Sequence, residues 1–199
     1  MIKLNKLFIA LVFVACSVGA NAQTTTETGV VITGVKWATR NVGSTGTFVI
    51  KPEDYGGHYQ WNRKDTANFF LYYDYYASPY PTATSWLAAN NPCPAGWRVP
   101  TKEELSLLDT DNVTSEWTIE NGINGRRFTD KTTNNSIFLP AAGYRSYNDG
   151  TLNDAGSFGY YWSSTESSSG AYYLYFNSGY AYLYFNNLTY GFSVRCVAE

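Results

Sequence analysis

The stretch that most constrains the fold is Gly170 to Asn187, GAYYLYFNSGYAYLYFNN, which repeats with a period of two on both sides of Ser178-Gly179. A two-residue turn there sets Asn177 against Tyr180, Phe176 against Ala181, Tyr175 against Tyr182, Leu174 against Leu183 and Tyr173 against Tyr184. Because side chains alternate across a strand, the residues sort onto two faces. One face holds Leu174, Phe176, Ala181, Leu183 and Phe185, with Tyr172 at its end, and is the expected core. The other holds Tyr173, Tyr175, Asn177, Tyr180, Tyr182, Tyr184 and Asn186, a plate of phenols edged by amides. A slip of one residue would mix the faces, so turn and pattern support the same register. Tyrosine is also a good strand former whose cross-strand pairs stabilise a sheet. Yet apart from Tyr172 the inward face uses Leu, Phe and Ala, so the chain distinguishes what it buries from what it shows. An exposed aromatic plate marks an interaction site, and tyrosine offers a large rigid contact area with a polar tip. Those seven plate residues are the candidate ligand-binding set.

Elsewhere, short runs rich in Val, Ile, Tyr, Phe and Trp alternate with Gly, Asn, Asp and Ser, the pattern of strands and long loops. One helix announces itself, at Thr101-Lys102-Glu103-Glu104, a capping box after Pro100 followed by Leu105, Leu107 and Leu108. The expected class is therefore α+β with few helices. Residues 23–34 are Thr-rich and read as a linker, although Val30-Val31-Ile32 has the composition of a short strand, and the domain is expected to occupy 35–199. A second aromatic knot, Phe69 to Tyr76, ends at Ser78-Pro79-Tyr80-Pro81 and reads as an irregular insertion.

Lys3 and Lys6, an apolar run from Leu7 to Ala15, and Ala20-Asn21-Ala22 have the form of a secretory signal over 1–22, with an apolar run too short to span a membrane. A competing reading takes Phe13-Val14-Ala15-Cys16 as a lipobox with lipid on Cys16, the one route by which this chain would meet a membrane. Either way the mature protein is expected outside the cytoplasm, secreted or on the cell surface. The leader carries two lysines and no acids, so its removal leaves 12 basic against 16 acidic residues. That balance suits neither nucleic acid nor anionic lipid. Cleavage after Ala22 also leaves only Cys93 and Cys196, whose simplest state in an oxidising compartment is a bridge; two buried free thiols are the alternative.

Five blocks carry a family resemblance. They are Gly34 to Gly43 (GVKWATRNVG), Cys93 to Thr101 (CPAGWRVPT), Phe138 to Arg145 (FLPAAGYR), Tyr161 to Thr165 (YWSST) and Ser193 to Val197 (SVRCV). In this order they resemble the FISUMP (major paralogous) domain of exported bacterial proteins. The family in turn resembles the C-type-lectin fold, in the branch that includes formylglycine-generating enzymes. This implies a compact mixed domain with a small antiparallel sheet closed by its terminal strands, and it fits a bridge between Cys93 and Cys196. The region 160–197 is further similar to the variable region of proteins diversified by retroelements. In those systems miscopied template adenines turn Asn codons into Tyr, Ser, Asp and others, and Tyr and Asn crowd the outward face here.

Enzymatic readings find little support. His58 is the single histidine, beside Tyr59 and Trp61, and no nucleophile triad, metal-ligand cluster or phosphate loop is legible. The formylglycine-generating relatives work through cysteine chemistry, whereas Cys93 and Cys196 stand where a structural bridge is expected. The Glu-Pro-Asn, Gln-Pro-Asp and Trp-Asn-Asp patterns of calcium-dependent lectins are absent, and Asn148-Asp149-Gly150 with Asn153-Asp154 reads first as turn chemistry. Asn112-Val113-Thr114 and Asn187-Leu188-Thr189 match the glycosylation sequon, a weak signal in a chain of bacterial resemblance. The expectation is a cofactor-free binding module, receptor- or adhesin-like, whose tyrosine face takes a macromolecular or cell-surface ligand, protein or glycan. A structural subunit of a surface assembly is the first alternative, and a calcium-independent lectin the second.

Overall fold

The computed structural model describes residues 26–64 and 85–199. The leader with Cys16 and the aromatic knot at 69–76 lie outside the described residues. Four sheets make up the described fold. The first orders β1 (Val30–Ile32), β2 (Val35–Trp37), β14 (Val197–Ala198) and β4 (Trp97–Arg98) as β1-β2-β14-β4. The second, of five strands, is β12-β11-β10-β13-β3, built from β12 (Ala181–Asn186), β11 (Gly170–Phe176), β10 (Gly159–Ser167), β13 (Phe192–Ser193) and β3 (His58–Tyr59). A meander of β5 (Val113–Glu120), β6 (Ile123–Asp130) and β7 (Ser136–Pro140) forms the third, and β8 (Tyr144–Arg145) with β9 (Leu152–Asn153) the fourth.

The class is β-rich, which corrects the α+β expectation. The capping box at Thr101 does form: its hydroxyl accepts from the Glu104 amide at 3.2 Å, and the Glu104 carboxylate accepts from the Thr101 amide at 2.8 Å. The helix it starts, α1 (Lys102–Ser106), runs five residues before tightening into a 3-10 turn at Leu107–Asp109. A helix that short buries Leu105 against the sheets but builds no layer of its own. Within the stretch read as a linker, β1 pairs with β2 and Ile32 is fully buried, so the folded domain begins before Val35.

The hairpin β11–β12 has the register expected from its alternation, with Tyr173 opposite Tyr184, Leu174 opposite Leu183, Tyr175 opposite Tyr182 and Phe176 opposite Ala181. Its turn is closed by Asn177, whose amide donates to the Tyr180 carbonyl at 3.0 Å and whose side-chain oxygen accepts from Gly179 N (2.8 Å) and Tyr180 N (3.2 Å). The five-stranded sheet separates two hydrophobic clusters. On one side Leu174, Phe176 and Tyr161 join Leu105, Leu108, Phe128 and Leu139. On the other, Trp162, Tyr173 and Phe192 join Trp61, Trp86 and Trp97 around the cysteines. Gly159 faces Phe176 across β10–β11, where any Cβ would strike the phenyl ring.

Between the sheets lies a fully buried guanidinium. Arg195 donates to Asn41 Oδ1 (2.9 Å), the Ala38 carbonyl (3.1 Å) and the Phe138 carbonyl (3.0 Å). Asn41 passes the network on, donating to the Tyr55 carbonyl (2.9 Å) and to the Tyr161 hydroxyl (3.1 Å), which itself donates to the Pro140 carbonyl (2.7 Å). Burial lowers the Arg195 pKa to about 10, which leaves the side chain cationic at neutral pH. One residue on, Cys196 is bonded to Cys93 across a sequence separation of 103, and the Cys196 carbonyl accepts from the Ala38 amide at 2.9 Å.

His58 is buried, with Nε2 3.1 Å from the Ala142 carbonyl. Burial depresses its pKa to about 4, against the pull of that carbonyl. A depressed base is protonated first in the unfolded chain, so its contribution is complete above about pH 6.5 and is lost as pH falls toward 4, a total of about 3 kcal/mol. His58→Gln, which keeps a donor without the titration, is expected to flatten the fall in melting temperature between pH 6.5 and 4.5; an unchanged slope would locate the acid sensitivity elsewhere. Replacing Cys93 and Cys196 together by Ser is expected to cost up to about 4 to 5 kcal/mol from the loop the bond closes, measured by denaturant unfolding.

Candidate functional site

The plate proves to be a ramp from core to solvent. Two rows of rings cross the sheet. Tyr160 on β10, Tyr175 on β11 and Tyr182 on β12 follow one another at centroid distances of 5.3 and 5.2 Å. Trp162, Tyr173 and Tyr184 form the second row at 5.8 and 6.3 Å. Trp162 is fully buried, and Tyr173 retains only 4% of its surface, whereas Tyr182 and Tyr184 on the edge strand expose 39% and 51%.

Tyr173 is thus not on the open surface, a correction to the candidate set. It packs against Trp162 and Phe192 in the first cluster, while the next residue, Leu174, enters the second. The inner strand β11 is covered on both faces at Tyr173 and Leu174, and a period of two cannot reveal a second core lying on the tyrosine side. The converse error is Phe185: placed on the expected core face, it exposes 43% beyond the reach of both clusters and stacks on Tyr184 at 5.3 Å. Tyr175 is half-buried, and Tyr180 exposes 50%. The two amides at the rim serve the turns. Asn186 accepts from the Asn187 amide (2.8 Å), and Asn177 closes the hairpin.

The array also extends where the hairpin pattern gives no hint. Tyr160 stacks on Phe192 at 5.1 Å and meets Tyr144 at 5.1 Å. Tyr144 contacts Tyr190 at 5.6 Å, and Tyr190 contacts the exposed Tyr147 at 4.9 Å. Tyr144, Tyr147, Tyr190 and Phe192 lie in loops and short strands brought beside β10 by the fold; their type is visible in the sequence but their adjacency is not. Burial raises the phenol pKa of Tyr160, Tyr173, Tyr182 and Tyr190, and carries Tyr175 up to about 12. At physiological pH those rings therefore offer neutral hydroxyls. The arrangement suits contact with a neutral surface having both apolar and hydrogen-bonding parts.

Among the described residues no group of three His, Cys, Asp or Glu side chains is placed to hold a metal, and no helix is long and apolar enough to cross a membrane. The Asp149 carboxylate is occupied by its own turn, accepting from Thr151 N at 3.0 Å and Thr151 Oγ1 at 2.8 Å.

Residues 20–198 match the model of the Fibrobacter succinogenes major domain. The chain belongs to this family. No curated protein and no solved structure matches it. Within this FISUMP domain the five sequence blocks converge on the buried network: Ala38 and Asn41 from the first, Cys93 from the second, Phe138 and Pro140 from the third, Tyr161 from the fourth, Arg195 and Cys196 from the last. The family blocks build the frame, and the exposed tyrosines of β12 lie outside them.

The split between anchored and displayed rings has a measurable consequence. Tyr182→Ala and Tyr184→Ala are expected to lose at most about 1 kcal/mol of cross-strand pairing. Tyr173→Ala and Leu174→Ala, which open cavities in the two cores, are expected to lose about 2 to 5 kcal/mol. Denaturant unfolding of the four variants decides; equal losses would mean that the β12 tyrosines serve packing.

Proposed function

We propose that this FISUMP domain is an exported ligand-binding module that recognises a macromolecular or cell-surface ligand through the tyrosines of β12. The observation that carries the reading is the anchoring of exposed rings to buried ones. Tyr182 and Tyr184 reach solvent while the neighbours of Tyr184 are fixed in the core and those of Tyr182 are half-buried against it, so little rotamer freedom remains to be lost on binding. A hydrophobic surface maintained for packing alone would have no reason to end in exposed phenols on an edge strand.

The similarity of 160–197 to retroelement-diversified regions supports a finer version of this reading, in which the tyrosines of the hairpin are variable positions on a constant frame. Apart from Ser168 and Ser169 at the β10–β11 turn, the exposed part of that region sits on β12 and its turn, where substitutions leave the buried network untouched. A reverse transcriptase beside the gene, with a near-copy of the region differing at adenines under the codons of Tyr175, Tyr180, Tyr182 and Tyr184, would establish the diversification; a neighbourhood without such a copy would refute it.

One observation favours the reading as a subunit of an assembly. β12 is an edge strand with neither charge nor proline in Ala-Tyr-Leu-Tyr-Phe-Asn, so it lacks the usual devices that discourage pairing with another chain. Sedimentation at micromolar concentration separates the two, because a binding module is expected to be monomeric with its plate accessible. In the binding reading, fluorescently labelled domain attaches to bacterial cell surfaces, and Tyr182→Ala or Tyr184→Ala reduces that attachment by about 2 kcal/mol or more in affinity for a hot-spot ring. Attachment that both variants retain in full would refute it.

A further inference from the structure

At the turn end of the plate, the hairpin, the β5–β6 face and the loop before β10 enclose an open cleft of about 510 Å³. Its construction follows from the strand register. Trp117 pairs with Arg126, and Ile119 with Asn124, so these four residues share one face of β5–β6. Arg126 donates to the Asn177 carbonyl at 2.6 Å and to Ser115 Oγ at 2.6 Å, which ties that face to the hairpin turn. Asn124 donates from Nδ2 to the Gly156 carbonyl at 2.8 Å, which ties it to the loop. Two walls and the turn are thereby held apart at fixed distances by hydrogen bonds.

The lining combines three aromatic side chains, Trp117, Phe158 and Tyr180, with the amide of Asn124 and the hydroxyls of Ser157 and Ser178. Among the described residues no Asp, Glu, Lys, Arg or His side chain lines it. An ionic ligand would find no counter-charge there. A peptide captured by backbone pairing needs a free strand edge, whereas these walls are side-chain faces, a loop and a turn. A pyranose ring has the complementary form: its axial C–H groups present a weakly positive apolar face to aromatic rings, and its equatorial hydroxyls reach amides and hydroxyls at the rim. The cleft also opens onto the plate, since Tyr180 stands 5.4 Å from Tyr182 and 6.0 Å from Tyr175, while Phe158 stands 5.8 Å from Tyr175.

We propose that this cleft binds a neutral sugar residue of a glycan whose neighbouring residues lie along Tyr182 and Tyr184. The inference rests on the reading of the plate as a binding surface and names the chemical class of its ligand.

Isothermal titration against cellotetraose, xylotetraose, mannotetraose and chitotetraose tests the proposal, with sialyllactose and a trigalacturonate as charged comparators. At least one neutral tetrasaccharide is expected to bind and the charged sugars to bind more weakly. Trp117→Ala and Phe158→Ala should each weaken binding by about tenfold or more. Because Trp117 also packs on the core, Ser157→Glu and Tyr180→Ala, both at exposed positions, provide variants that leave the fold intact and are expected to weaken binding as well. No binding by any neutral sugar at millimolar concentration overturns the proposal, as does binding that is indifferent to Ser157→Glu and Tyr180→Ala. A sugar lost on Tyr182→Ala or Tyr184→Ala but insensitive to the cleft variants overturns the cleft and leaves the plate reading standing. Sensitivity confined to the cleft variants supports the cleft and refutes the plate.

Discussion

Arg195 is the point on which the rest of the structure hangs. A guanidinium taken wholly out of water is costly unless it is hydrogen-bonded, and here each of its three nitrogens donates to an acceptor: Asn41 Oδ1 and the Ala38 carbonyl from the segment after β2, and the Phe138 carbonyl of β7. Asn41 then holds the Tyr161 hydroxyl, which fixes β10 and with it the five-stranded sheet. Removing any one member would leave a buried charge or amide short of partners, a larger loss than the net worth of a single hydrogen bond. The adjoining Cys93–Cys196 bond and the Ala38 to Cys196 backbone hydrogen bond fasten the C-terminal strand in the same place. Strands as short as β2, β4 and β14 persist because this network joins them.

That frame explains how an edge strand can display aromatic rings without collapsing onto them. Each exposed tyrosine of β12 is the last member of a row that begins in or against the core. The row through Trp162 and Tyr173 is dry until its end, and the row through Tyr160 and Tyr175 is half-covered. The displayed rings and the buried frame are therefore mechanically coupled yet chemically separate. Rings on β12 contribute contact area, while Arg195, Asn41 and Tyr161 supply rigidity from about the centre of the molecule. The cleft beside the turn has the same logic, with Arg126 and Asn124 spending their hydrogen bonds on holding the walls and leaving aromatic faces and hydroxyls toward the opening.

Much of this was legible in the chain itself. The hairpin register followed from Ser178-Gly179 and strict alternation, because a two-residue turn and a period of two leave one pairing that keeps the faces unmixed. The start of α1 was legible because a capping box is a local device whose partners lie three residues apart. The β-rich class is not legible there, since a good start signal says nothing of how soon a helix stops. An Asn121-Gly122 turn, with both residues at positive φ, marks the β5–β6 hairpin and would have placed Trp117 and Asn124 on paired strands.

What the sequence determined by itself is whatever depends on near neighbours: the hairpin, its turn, the helix cap, and the two-cysteine count that made a bridge the simplest state. Tertiary structure alone decided which side of each strand is dry. Tyr173 and Tyr182 are the same residue type on the same face of one hairpin, yet one is in the core and the other in solvent, because Trp162 and Phe192, brought in by β10 and β13, cover β11 and stop short of β12. Burial is a property of the elements packed alongside, and a strand's own alternation carries no record of them.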